Sequence, residues 1–168
     1  YSNFYNTNIE LEEGLNVVIG ANNTGKSNLL RVINLLHSNN SKLSIDDINK
    51  NELMANFTSY LETPPLIKIQ YGIQHFLDLR KPDSAFEKLE KFLKYNDDGG
   101  LDEINDLAAL DALIELRYEL DPAVLEDYKS LMTDVVDFNS FMDNLITFAE
   151  SYQTNFYNVE TNSIIETK

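Results

Sequence analysis

The chain has 168 residues, 43% hydrophobic and 24% charged, which suits one globular domain or a large part of one. Its net charge of −15 opposes a surface that tracks a phosphate backbone, so these residues are a poor grip for DNA or RNA. The lack of cysteine excludes disulfides and thiolate metal sites, no apolar run approaches a membrane span, and no basic-then-apolar leader opens the chain. The expected compartment is therefore the cytoplasm, with no membrane partner. The first residue is Tyr1 rather than Met, so trimming at the front is expected.

Asn6-Thr7-Asn8-Ile9-Glu10-Leu11 alternates weakly and predicts an exposed or edge strand. Glu12-Glu13-Gly14 predicts a turn. Leu15-Asn16-Val17-Val18-Ile19 is short, β-rich and ends in Gly, which predicts a buried strand. Next comes Gly20-Ala21-Asn22-Asn23-Thr24-Gly25-Lys26-Ser27, a match to G-x-x-x-x-G-K-[ST]. From Asn28 to His37 apolar residues recur at three-to-four spacing without Pro or Gly, which predicts a helix. At average residue frequencies the loop pattern arises by chance roughly 4 × 10⁻⁵ times per position. With a strand expected before it and a helix after it, a chance Gly turn is the weaker explanation.

The residue types fit phosphate binding. Gly20 and Gly25 accept backbone angles closed to other residues and let the main chain approach a ligand. Ala21, Asn22, Asn23 and Thr24 complete a turn whose N–H groups form a nest for phosphate oxygens. The helix start adds N–H groups and the positive end of its dipole. Lys26 is expected to reach the β- and γ-phosphates of ATP and is the candidate catalytic residue. Ser27 is the candidate Mg²⁺ ligand, because Mg²⁺ prefers hard oxygen donors. Asn28 is expected to extend the loop's contacts.

A polar linker follows from Ser38 to Ser44, then one or two short helices between Ile45 and Tyr60. Asp46 and Asp47 are expected to cap or decorate a helix start rather than hold metal. After Thr63-Pro64-Pro65, alternation near 66–74 predicts a strand with Ile67, Ile69, Tyr71 and Ile73 on one face. Lys68, Gln70 and Gln74 share its other face. His75 and His37 read as element-end residues, not catalysts. Pro82 to Tyr95 predicts an amphipathic helix, and Asn96-Asp97-Asp98-Gly99-Gly100 ends it without Ca²⁺-loop spacing. Residues 101–110 predict a helix. Residues 112–120 alternate again, Ile114, Leu116, Tyr118 and Leu120 against Glu115, Arg117 and Glu119, and predict a second surface strand pairing near 66–74, with a helix continuing from Leu107 as the competing expectation. Two more helices are expected, Ala123 to Val135 and Asn139 to Tyr152, and then a short hairpin across Thr161-Asn162. No repeat or low-complexity linker is visible.

A complete P-loop ATPase also needs an acidic site, usually an apolar strand ending in Asp. No apolar run of four or more is read as ending that way, since Val135-Val136-Asp137 is too short and lies between helical patterns. No Ser-Gly-Gly stretch occurs either. The other half of an ATP site is expected further along the polypeptide or on a partner, and these 168 residues alone are expected to be inactive.

Asn3-Phe4, then the stretch from Ile9 through Gly14-Leu15-Asn16-Val17-Val18-Ile19 to Asn22-Asn23-Thr24-Gly25-Lys26-Ser27-Asn28, resembles the head of ABC-class ATPases of the SMC/RecF/OLD group. Asn23 and Asn28 discriminate beyond the P-loop itself. The match covers about the first forty residues. OLD-family ATPase/nucleases and Gabija-like anti-phage ATPases look nearest. The resemblance implies an α/β P-loop NTPase fold with a mixed sheet, and residues 1–168 as the N-terminal part of one head. Within it the P-loop core spans 1–40, antiparallel strands lie near 66–74, 112–120 and 156–166, and helical insertions span 82–111 and 121–152. It also implies ATP and Mg²⁺ as ligands, head-to-head homodimers or higher oligomers, a protein effector, and DNA contacted only through other regions. A recombination or repair ATPase without nuclease, and a non-hydrolytic interaction module, are the competing expectations.

Overall fold

The computed structural model describes residues 7–11, 15–19, 21, 25–37, 42–78, 107–159 and 161–167. The expected features at Asn3-Phe4, Glu12-Glu13-Gly14, 38–41 and 79–106 lie outside them, including the amphipathic helix from Pro82 and the acidic Gly loop. The chain divides into two units, 1–67 with 118–153 and 68–117 with 154–168.

The first unit is mostly helical. Helix α1 spans Lys26–His37, and a short 3₁₀ turn follows at Ile45–Asp47. Helix α2 (Lys50–Asn56) starts where the Asn49 side chain accepts the N–H groups of Asn51 and Glu52, both at 3.1 Å. Asp121 accepts from Ala123 N at 2.9 Å and opens a 3₁₀ turn, Pro122–Val124, that leads into α3 (Leu125–Met132). Helix α4 (Phe138–Thr147) begins with an Asp137–Ser140 capping box. The backbone and hydroxyl of Ser140 hold the Asp137 carboxyl below its usual value.

Tyr128, Phe141 and Leu145 are fully buried in this unit. Phe57 meets Phe138 and Phe141 at ring separations of 6.2 and 6.1 Å. Each buried tyrosine hydroxyl needs a partner. Tyr128 donates to Tyr60 O at 2.5 Å and Tyr152 to Pro65 O at 2.9 Å. Burial raises both of their pKa values. Burial, reinforced by Asp47 and Asp46, pushes Tyr118 up to about 12.

The second unit is built on a sheet. Strands β1 (Ile67–Asp78), β2 (Leu107–Leu120), β3 (Tyr152–Asn158) and β4 (Ser163–Thr167) form a four-stranded antiparallel sheet in that order. Strands β3 and β4 make the expected hairpin, with Asn158 opposite Ser163 and Asn162 at φ 49° in the turn. Asparagine tolerates that left-handed angle, so the turn forms without Asn-Gly.

The four described strands lie where the antiparallel flank was expected, near 66–74, 112–120 and 156–166. Several expectations change. Residues 107–110 belong to β2 rather than a helix, which excludes both the helix to Leu110 and one continuing from Leu107. Helix α4 stops at Thr147 because Phe148 N turns back to Leu145 O at 3.1 Å and Ser151 N to Phe148 O at 2.8 Å. Tyr152 therefore lies in β3, with its ring 5.0 Å from Tyr118, and its helical spacing from Phe148 is coincidental. Residues 15–19 form no strand, and Leu15 and Ile19 are 92% and 90% exposed. A strand needs a hydrogen-bonded neighbour, and the described sheet supplies none to this run.

The polar face of β2 also departs from expectation, because Glu115 is buried. Its carboxylate accepts from Lys68 Nζ at 2.8 Å, Gln70 Nε2 at 2.6 Å and Arg117 Nε at 2.5 Å. Long side chains of neighbouring strands and of position i+2 share this face, so they roof the carboxylate. Arg117 also lies 3.9 Å above the Tyr157 ring and donates to Asn162 Oδ1 at 2.6 Å. Burial pushes the Glu115 pKa up, and the bonds from Lys68, Gln70 and Arg117 outweigh it, holding the group below its ordinary 4.5.

A lowered folded-state pKa contributes stability that is complete above 4.5 and lost as pH falls through the folded value. Glu115→Gln is expected to cost about 1–3 kcal/mol at neutral pH and to flatten the loss of stability below pH 4.5. Urea unfolding at pH 7 and pH 3.5, the two test conditions for about one unit either side of the lowered range, checks both; an unchanged pH dependence would contradict this account of Glu115.

Candidate functional site

The expected helix after the glycine loop is present as α1. Gly25 sits at φ 94°, a left-handed angle that favours glycine. Leu29 N donates to Gly25 O at 2.9 Å and closes the first helical turn. That turn contains no acidic residue, so nothing in it neutralises the positive end of the helix dipole. Gly25, unlike Asn49 or Asp137, has no side chain to cap the helix.

The Lys26 side chain reaches back to Ala21, and its Nζ donates to Ala21 O at 2.5 Å. This places a cation beside the Ala21 carbonyl at the start of the helix. Ser27 is exposed on the same first turn, and Asn28 is partly buried beside it. Of the expected site residues, the structure thus gathers Ala21, Gly25, Lys26, Ser27 and Asn28. Gly20, Asn22, Asn23 and Thr24 lie outside the described residues.

An open groove of about 590 Å³ borders the site, with Gly25, Lys26 and Leu29 on one side and Ile9, Leu11 and Val17 among its apolar lining. Its volume falls within the range of small-molecule sites. Among the described residues no group of three or more His, Cys, Asp or Glu side chains could hold a metal ion. A Mg²⁺ here would take the Ser27 hydroxyl as protein ligand and complete its shell from phosphate oxygens and water.

Two side-chain features escaped sequence reasoning. Arg31, one turn after Ser27, makes a two-pronged pair with Asp47: Nη1 to Oδ1 at 2.8 Å and Nη2 to Oδ2 at 3.0 Å. Asp47 also caps its own turn, as expected, accepting from Ser44 N at 2.9 Å and Ser44 Oγ at 3.2 Å. The sequence signal for the cap is Ser44 three residues before Asp47, but nothing local ties Asp47 to Arg31. The second feature is Leu107-Ala108-Ala109-Leu110-Asp111, an apolar run followed by Asp that is now seen within a strand. Strand β2 continues past Asp111 to Leu120, so that Asp is not at a strand end, where a P-loop enzyme's acidic partner is expected.

The family model of the AAA ATPase domain matches residues 1–167. The chain belongs to that family. Membership carries nucleotide binding, and the family usually works with Mg²⁺. No curated protein and no solved structure matches the chain. Among the described residues of this AAA ATPase domain, no helix is long and apolar enough to cross a membrane.

The angle at Gly25 gives a test independent of ligand. Gly25→Ala is expected to destabilise the chain by about 1–3 kcal/mol, the cost of a non-glycine residue at a strained angle. Chemical denaturation measures it, and an unchanged midpoint would show that the turn relaxes freely.

Proposed function

We propose that this AAA ATPase domain binds ATP–Mg²⁺ at the start of α1, as the N-terminal lobe of an ABC-type head of the SMC/RecF/OLD group. Gly20, Ala21, Asn22, Asn23, Thr24, Gly25 and Asn28 line the phosphates. Lys26 neutralises the β- and γ-phosphates, and Ser27 ligates the metal. The observation that carries this reading is the lysine at an acid-free helix start, folded onto the Ala21 carbonyl behind a left-handed glycine. On binding, the Lys26 ammonium exchanges that carbonyl for a triphosphate oxygen, a stronger charge-assisted bond.

In this reading ATP joins two heads of a homodimer or higher oligomer in the cytoplasm. Nucleotide state then gates a DNA-processing or anti-phage nuclease activity carried by other regions or by a protein effector. Asn23 and Asn28 support the SMC/RecF/OLD group, and the helical material expected between 82 and 152 suits the insertions of the OLD-like branch. The net charge of −15 favours DNA contact elsewhere than on these residues.

Lys26→Ala is expected to weaken ATP binding about a hundredfold, the loss of one charge pair of about 2–3 kcal/mol, with folding preserved. Titration of a fluorescent ATP analogue, with circular dichroism as the folding check, decides it; equal affinity would overturn the site. The 168-residue chain alone is expected to show no measurable ATP turnover, and robust turnover blocked by Lys26→Ala would place the acidic half within it.

A further inference from the structure

Ser27, Arg31 and Leu35 are spaced i, i+4 and i+8 on α1, and so lie along one stripe of the helix. The stripe is fastened at two points. Leu35 is fully buried. Arg31 is gripped by Asp47 through the paired bonds at 2.8 and 3.0 Å, and its Nη2 also donates to Lys42 O at 3.2 Å. Ser27 stands at the free end, exposed.

The cap of the 45–47 turn alone would need only Ser44 and Asp47. A guanidinium from sixteen residues away adds something else. A planar fork fixes orientation as well as distance. Held by this fork and by Leu35, α1 resists rotation about its own axis. Such rotation would swing the Ser27 hydroxyl away from a phosphate-bound metal.

We infer that Asp47 is a positioning residue that acts through Arg31 to aim Ser27 at the Mg²⁺ of a bound nucleotide. The inference rests on the proposed ATP site and goes beyond it, because neither residue belongs to that site. The clamp therefore sets how much Mg²⁺ strengthens nucleotide binding, while the loop itself sets the metal-free affinity.

The test compares affinity for a fluorescent ATP analogue in Mg²⁺ and in EDTA. Arg31→Gln is the main variant, since Arg31 is nearly half exposed and Asp47 keeps its Ser44 bonds. It is expected to lower the Mg²⁺ enhancement about tenfold, the low end of the cost of losing an outer support of a metal ligand, and to leave the EDTA affinity unchanged. Arg31→Lys is expected to recover part of the enhancement, keeping the charge without the fork. Asp47→Asn combined with Arg31→Gln is expected to be no worse in this ratio than Arg31→Gln alone. Ser44→Ala, which weakens only the cap, is expected to lower thermal stability and leave the ratio intact. If the wild type binds with Mg²⁺ enhancement and Arg31→Gln keeps that ratio, this inference fails while the ATP site stands. If the wild type binds no nucleotide, the ATP reading falls and takes this inference with it.

Discussion

An α-helix cannot satisfy the N–H groups of its own first turn. Two of the other helices in this chain meet that constraint with a side chain in front of them, Asn49 before α2 and Asp137 before α4. Helix α1 is preceded by Gly25, which offers no side-chain acceptor. The same glycine takes a left-handed angle, and Lys26 follows it at once. The positive end of the helix dipole and an ammonium group therefore lie at the same helix end.

Helix α1 is held at two described points in the first unit. Its inner end is buried at Leu35, and its middle is tied to the 45–47 turn by the Arg31–Asp47 fork. That turn leads directly into α2, whose Leu53 is buried. The aromatic group of Phe57, Phe138 and Phe141 and the bonded hydroxyls of Tyr128 and Tyr152 build a core dominated by large, directional side chains. Such a core resists small rotations because rings and bonded hydroxyls have few alternative packings.

The second unit depends on a different interaction. A buried carboxylate is costly unless paired and hydrogen-bonded. Glu115 meets that demand with Lys68, Gln70 and Arg117, while Arg117 also stacks on Tyr157 and reaches Asn162 in the hairpin turn. One buried charge thereby links β1, β2, β3 and the β3–β4 turn.

The helix that starts at Lys26, the β1 alternation and the final hairpin were all legible in the residue order, because each depends on local φ/ψ limits or on a period of two or 3.6 residues. So was the capping role of Asp47. Longer-range facts were not. The alternation of β2 placed Glu115 on a solvent face, and only its cross-strand neighbours decided that this face is covered. The apolar run 107–110 suits a helix or a strand equally by composition, and pairing within the sheet chose strand. The run 15–19 has every local mark of a buried strand, yet burial is a property of what packs around it, and the four-stranded sheet pairs with other segments. Residue order alone thus determined the glycine-rich motif and the helix that begins at its lysine. Tertiary contacts decided what holds that helix, because a guanidinium and a carboxylate sixteen positions apart meet only once the chain has folded.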